Sequence, residues 1–263
     1  MRFTKMHGLG NDYLYVYGEV PPDVADLSRR LSDRHVGAGS DGMVSSCPSD
    51  IADFNMRIFN ADGSEAMMCG NGIRCVGKYV YDRGLTSKTT LAIETLSGVK
   101  ELRLQVANGS VSAATVSMGR AMVSDDLVVH TSLADVTCTP VSVGNPHAVL
   151  FVDDALTAPI AELGPLIERH PLFPGGVNVE FVQVLPNHEL RMRVWERGSG
   201  ITMACGTGAC ASAAAAVAKG CCPAGEPITG HLDGGDLAIA VGEDFAMTMT
   251  GPAETVYEGE VRL

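Results

Sequence analysis

Two cysteines offer this sequence its clearest chemistry. Cys69 stands in MCGNG and Cys205 in ACGTG, and each is followed by a segment of helical character. A thiol directly before Gly-x-Gly at a helix start meets the orphan backbone N–H groups and the positive end of the helix dipole. That setting lowers a thiol pKa from about 8.5 towards neutrality. The same N–H groups bind anions, and glycine lets a ligand approach the backbone closely. Each cysteine is therefore expected to be an acid–base group beside a carboxylate-binding helix end. Two such thiols facing one α-carbon across a cleft could remove its proton from one side and return one to the other, which inverts a stereocentre.

The thiols recur because the chain is duplicated. Residues 56–72 (MRIFNADGSEAMMCGNG) match 192–208 (MRVWERGSGITMACGTG) at a spacing of 136, with six of seventeen positions identical. Upstream, residues 10–16 match 144–150 at a spacing of 134, each a Gly-Asn turn feeding an apolar strand. A single duplication of this length marks two similar halves, not a solenoid. Cys75, Cys138, Cys210 and Cys221 are read instead as small buried hydrophobes.

The elements that must position these groups follow from the pattern. Strands are expected at 2–7 and 13–17, then a helix from an Asp23 cap to about Arg34, a glycine-rich loop over 35–42, and a strand over 52–59 that ends at Asn60. A helix over 70–83 stops at Gly84. Strands over 89–96, 99–106 and 110–118 are separated by turn signals. The second half repeats the plan. It has a strand, turn and strand over 140–152, a helix over 155–169, strands over 177–185 and 190–196, an Ala-rich helix over 206–219, and a strand-like tail over 236–263. That Ala-rich helix is apolar nearly all round, so a curved sheet should wrap it, and the same holds for its counterpart.

Composition narrows the function classes. The apolar fraction is 46%, the charged fraction 19% and the net charge −12, which suits a globular protein and opposes binding to nucleic acid or anionic membranes. No apolar signal segment and no 20-residue apolar run is visible, so a cytoplasmic protein with reduced thiols is expected. The cysteine spacings lack C-x2-C, and no His-x3–5-His follows, so no metal is expected. GLGND and GAGSDG do not form G-x-G-x-x-G at a strand–helix junction, and no lysine has a Schiff-base context, so no cofactor is expected.

HGLGNDY, FNADGSEAMMCGNGIRC, VGNPH, NVEFVQV, ERGSG and ACGTGAC together resemble the diaminopimelate epimerase family along nearly the whole chain. The resemblance implies an α/β fold of mixed sheets in two pseudo-symmetric halves, each a barrel-like, mostly antiparallel sheet around a central helix, with the active site in the cleft between. It places residues 1–117 and 252–263 in one half and 118–251 in the other. It implies a cofactor-independent isomerase of lysine and peptidoglycan biosynthesis that interconverts LL- and meso-diaminopimelate. Cys69 would serve the LL isomer and Cys205 the meso isomer. Gly70, Asn71, Gly206 and Thr207 would bind the reacting carboxylate. Asn60, Asn145, Asn178 and Arg197 would clamp the distal end, where a guanidinium can pair with a carboxylate in bidentate fashion. Glu196 would bind an ammonium and support proton transfer, with Asn11 and His147 nearby. Tyr257 would lie at a homodimer interface. The sequence departs from the family at Ile201, where Glu is usual, and at Gly42, where some members carry a side-chain amide. Two alternatives stay open: a proline or hydroxyproline racemase-type enzyme, and a non-catalytic relative with inert thiols.

Overall fold

The computed structural model describes residues 1–262, so position 263 of the expected 252–263 segment lies outside the described residues. The chain forms two compact units. One is Met1–Ser117 with the chain from Thr250 onward, and the other is Met118–Met249. Both are mixed α/β structures dominated by sheet.

In the first unit the order is β1 (Arg2–Gly8), β2 (Asn11–Tyr17), α1 (Val24–Ser32), β3 (Gly42–Cys47), β4 (Phe54–Asn60), β5 (Glu65–Ala66), α2 (Gly70–Asp82), β6 (Thr90–Thr95), β7 (Gly98–Ala107) and β8 (Ser110–Arg120). Strand β1 pairs antiparallel with β2, β2 parallel with β3, β3 antiparallel with β4, and β4 parallel with β6. Helix α1 covers β3 and β4, placing Leu27 and Leu31 against Phe3, Leu14 and Met43. Helix α2 contacts β1, β2 and β7, so the sheet curves around it. Gly77 on α2 permits this approach, because a Cβ there would sit 2.7 Å from a Leu104 methyl.

The second unit runs β9 (Met122–Val123), β10 (Leu127–His130), β11 (Asp135–Ser142), β12 (Pro146–Phe151), α3 (Ile160–Glu168), β13 (Asn178–Leu185), β14 (Glu189–Glu196), β15 (Gly200–Ile201), α4 (Gly206–Ala218), β16 (Pro227–Leu232), β17 (Gly235–Val241) and β18 (Ala246–Pro252). The pairing repeats the first unit: β11 antiparallel with β12, β12 parallel with β13, β13 antiparallel with β14, and β14 parallel with β16. Helix α4 touches β9, β11, β12, β13, β14, β16 and β17. Only a run of alanines lets so many strands come close to one helix, and Ala209, Ala211 and Ala213–Ala216 are all buried. The last strand, β19 (Glu254–Glu260), returns to pair with β1 in the first unit.

Several boundaries differ from the sequence expectation. Helix α1 ends at Ser32 because the Asp33 carboxylate accepts the His35 and Val36 N–H groups, at 2.7 and 3.0 Å, and turns the chain. Asp23 holds the N-cap position with no side-chain cap bond. Helix α3 starts at Ile160, since Pro159 disfavours helical backbone at the residue before it. Strand β3 follows the expected glycine-rich loop, in a stretch for which no element was expected because Ser45 and Ser46 break the apolar pattern; Ser45 is satisfied by the Gly18 carbonyl at 2.9 Å. Strands β10 and β16 were also outside that expectation, and β11 begins at Asp135, ahead of position 140. Cys75, Cys138 and Cys210 are buried, whereas Cys221 is exposed and its neighbour Cys222 is buried in its place.

Candidate active site

Each unit uses one device. A parallel strand pair starts from a Gly-Asn turn, the next antiparallel strand and a short hairpin follow, and the chain then enters a helix through a cysteine. Cys69 is the N-cap of α2, in extended backbone, and its sulfur accepts the Gly72 N–H at 3.3 Å. Cys205 caps α4 in the same way, accepting the Gly208 N–H at 3.4 Å. Sulfur thus takes the place of the usual Ser or Asp oxygen at a helix N-cap. Gly70 and Asn71, and likewise Gly206 and Thr207, occupy the first two helical positions, where backbone N–H groups point out along the axis.

In the first unit Asn11 opens β2 and its Oδ1 accepts from the Cys69 thiol at 3.3 Å. The amide is oriented from behind, since its Nδ2 donates to Asp41 at 2.9 Å and Arg34 bridges Asp41 and Asp12. Tyr13, two residues on, is buried and reaches both Asn11 and Cys69; burial, then the neighbouring sulfur, push its phenol well above its usual range. The Asn71 side chain turns inward and accepts from the fully buried Arg74 at 3.0 Å. Asn60 ends β4, and its Nδ2 donates to the Ser64 hydroxyl at 3.0 Å.

The second unit is more heavily charged. Cys205 is buried, and its sulfur lies 3.5 Å from the Thr207 hydroxyl. Asn145 donates to Thr207 at 3.3 Å and meets His147 Nε2 through Oδ1 at 3.1 Å. His147 Nδ1 sits 2.6 Å from Glu180 Oε1, and neither side chain is accessible to solvent. Glu196 ends β14, takes the Thr202 hydroxyl at 2.5 Å and also meets the Cys205 thiol. Burial raises the Glu196 carboxyl, against the pull of Thr202 and Cys205. Burial, then Glu196 and Glu180, push the Cys205 thiol well above its usual range, and Thr207 and Gly208 only partly oppose them. The helix end pulls this thiol down through the Gly208 N–H but is outweighed, contrary to the expectation from sequence. A low-dielectric setting with two carboxylates outweighs a half-charge at the helix terminus.

Of the residues expected to clamp the distal end, Asn178 and Arg197 meet within the second unit. Asn178 Oδ1 accepts the Arg197 backbone N–H at 2.9 Å, and its Nδ2 donates to the Pro146 carbonyl at 3.3 Å, so it fixes the chain carrying Arg197. The Arg197 guanidinium donates to the Gly175 carbonyl at 3.0 Å. It lines a cavity of about 370 Å³ with Glu168, His170, Phe173 and Gly176. Asn145 belongs to the thiol group. Tyr257 is partly exposed on β19 and donates to the Ala38 carbonyl at 3.0 Å. Ile201 is exposed, and its effect is local. In the first unit Glu65 pairs with Arg57, while in the second the matching Arg193 finds Asp233 at 2.9 Å.

The sequence reading missed Glu180, Tyr13, Asp41 and Thr202. Two of these had a signal. Tyr13 stands opposite His147 in the upstream repeat, and Glu180 is a lone carboxylate in the apolar run VNVEFVQV.

The chain matches the diaminopimelate epimerase family model over residues 3–123 and 139–256. It is 50% identical to a diaminopimelate epimerase of Geobacillus kaustophilus over 98% of this chain and 95% of that protein. To that of Phocaeicola vulgatus it is 50% identical over 100% and 99%, and to that of Methanococcus maripaludis 48% over 99% and 99%. Among solved structures it is similar in fold to a probable proline racemase from Agrobacterium radiobacter, with a TM-score of 0.78 and 19% identity, covering 100% of this chain and 93% of that one. A phenazine biosynthesis protein of the PhzF family from Bacillus anthracis gives a TM-score of 0.78 at 17% identity, over 100% and 99%. Full-length identity near one half and a repeat that carries the same thiol cap twice leave one conclusion: this chain belongs to the diaminopimelate epimerase family.

Proposed function

We propose that this protein interconverts LL- and meso-diaminopimelate by two-thiol acid–base catalysis with no cofactor, in lysine and peptidoglycan biosynthesis. The observation that carries the reading is the pair of cysteine N-caps on α2 and α4, each with its helix N–H groups beside it. The reaction removes the α-proton to one thiolate and delivers a proton to the opposite face from the other thiol. Cys69 is the base for the LL isomer and Cys205 the base for the meso isomer, the roles reversing with direction. The helix N–H groups of Gly70, Asn71, Gly206 and Thr207 hold the α-carboxylate, where charge builds as the proton leaves. Asn60, Asn178 and Arg197 serve the distal end, Asn11 and Asn145 the reacting end, and Glu196 the ammonium. His147 and Glu196 govern the proton inventory beside the thiols.

The raised Cys205 thiol supports an acid at rest, suited to donating when LL substrate arrives. In the meso direction Glu196, itself raised, is placed to take the proton from that thiol. In deuterated water LL-diaminopimelate should exchange its α-hydrogen without added cofactor, while proline and hydroxyproline run in parallel should not. Cys69→Ala and Cys205→Ala should each lower turnover by about 10²–10⁴-fold, the usual worth of a positioned acid or base. Full activity in either variant, or exchange of proline alone, would overturn the reading. Working thiols need a reducing compartment, so we place the enzyme in the cytoplasm. We also place a homodimer contact at β19 around Tyr257; light scattering should give a dimer for the wild type and a shift towards monomer for Tyr257→Ala.

A further inference from the structure

Strand β13 is buried on both faces, yet its third residue is a carboxylate. On one face Val179 and Phe181 pack under α3. On the other, Glu180 lies under the first turn of α4, close enough that a Cβ on Gly208 would sit 2.7 Å from Oε1. Strand β12 runs parallel alongside and pairs His147 with Asn178 and Val149 with Glu180. His147 and Glu180 are therefore diagonal neighbours on one face, with Nδ1 and Oε1 2.6 Å apart and both side chains fully buried. The second oxygen, Oε2, has no hydrogen-bond partner among the described residues. A buried carboxylate with only one partner is costly to keep, and core packing alone would favour an apolar residue. Its hydrogen-bond partner among the described residues is the imidazole whose far edge reaches Asn145, and through it Thr207 beside Cys205.

We infer that Glu180 is the positioning residue for His147. Its carboxylate accepts a hydrogen bond from Nδ1–H, which fixes the ring plane and turns the Nε2 edge towards Asn145, whose Oδ1 is the acceptor there, and towards the reacting centre. The logic is that of the buried carboxylate behind a catalytic imidazole, where the acceptor holds the ring in its working orientation. Other titratable groups near the pair are Glu196 and Cys205, both in the same unit. In this assignment Glu180 touches no substrate; beside its charge near Cys205 it acts through the ring.

The inference rests on the proposed reading of His147, and its test separates the two. The variants are Glu180→Gln, His147→Gln and the double variant, each in the full chain, with steady-state kinetics on LL-diaminopimelate. Glu180→Gln is expected to lower kcat about 10–100-fold, in line with other carboxylates that orient a functional imidazole, with KM within about twofold. In the His147→Gln background the same change is expected to add less than twofold. Equal losses in both backgrounds, or unchanged kcat in Glu180→Gln, overturn the assignment. Nitrogen-15 spectra of the wild type supply a readout independent of turnover and of variant folding. A protonated Nδ1 on His147 with a strongly downfield proton is expected, and an unprotonated Nδ1 overturns the inference. A wild type inactive on diaminopimelate that still shows the protonated Nδ1 overturns the function and leaves the pair standing.

Discussion

A cysteine at a helix N-terminus is expected to ionise readily, but Cys205 lies behind Glu196 and Glu180 and out of water, and its proton is held. Because its folded pKa lies above the unfolded value of about 8.5, the stabilisation tied to its proton is complete below that pH. It is lost as pH climbs through the higher folded value. Denaturant titrations should show wild-type stability falling above pH 9 more steeply than that of Cys205→Ser, while the two curves run parallel near pH 7. The thiols, Asn11, Asn145 and His147 were legible in the sequence because the duplication marks them twice or places them in a turn. Glu180 showed only as a lone carboxylate in an apolar run; its role was not legible, since it depends on which face of β13 meets α4, and a strand buried on both sides has no period to reveal that. The charge state of Cys205 escaped the sequence for a related reason: the helix end is local, whereas the opposing carboxylates arrive from β13 and β14.

At the scale of elements, α3 shows how closely helix and strand fit. A Cβ on Gly164 would stand 2.6 Å from the Trp195 ring, and Trp195 donates to Glu168 at 2.7 Å across the same contact. Glu168 also accepts the Gly198 N–H at 2.9 Å, so α3 holds the turn that follows Glu196 and Arg197. Gly164→Ala should lower stability by about 1–3 kcal/mol through overpacking. It should also raise KM, because the segment bearing Arg197 shifts; thermal melts and kinetics on the same preparation check both effects. The amphipathic stretches, hairpins and cysteine-capped helices could be read from pattern and turn chemistry. Strands β3 and β16 could not, because serine, threonine and glycine in a strand are satisfied only by neighbours distant in sequence, as Ser45 is by Gly18.

Over the whole molecule, the duplication visible in 17 residues extends to the pairing scheme of both units. The mixed α/β, sheet-dominated architecture was legible from that repeat, whereas the return of the chain to its own beginning rested on family resemblance. Here β19 pairs with β1 from Arg2↔Glu260 to His7↔Glu254. Arg74, beneath the first turn of α2, donates to the Pro252 carbonyl at 3.1 Å. Removing residues 250–263 should therefore abolish hydrogen-exchange protection in β1 and α2, while α4 and β13 stay protected; uniform loss across both units would contradict this account.

That late partner sets an order of events during synthesis. As the nascent polypeptide leaves the ribosome, β1 emerges well before β19 and must wait for it, with the whole second unit translated in between. The later-encoded unit can settle while the earlier one is still missing a strand. Until then α2 and its cysteine sit in an unfinished sheet, so the first thiol gains its working environment only once β19 has been made.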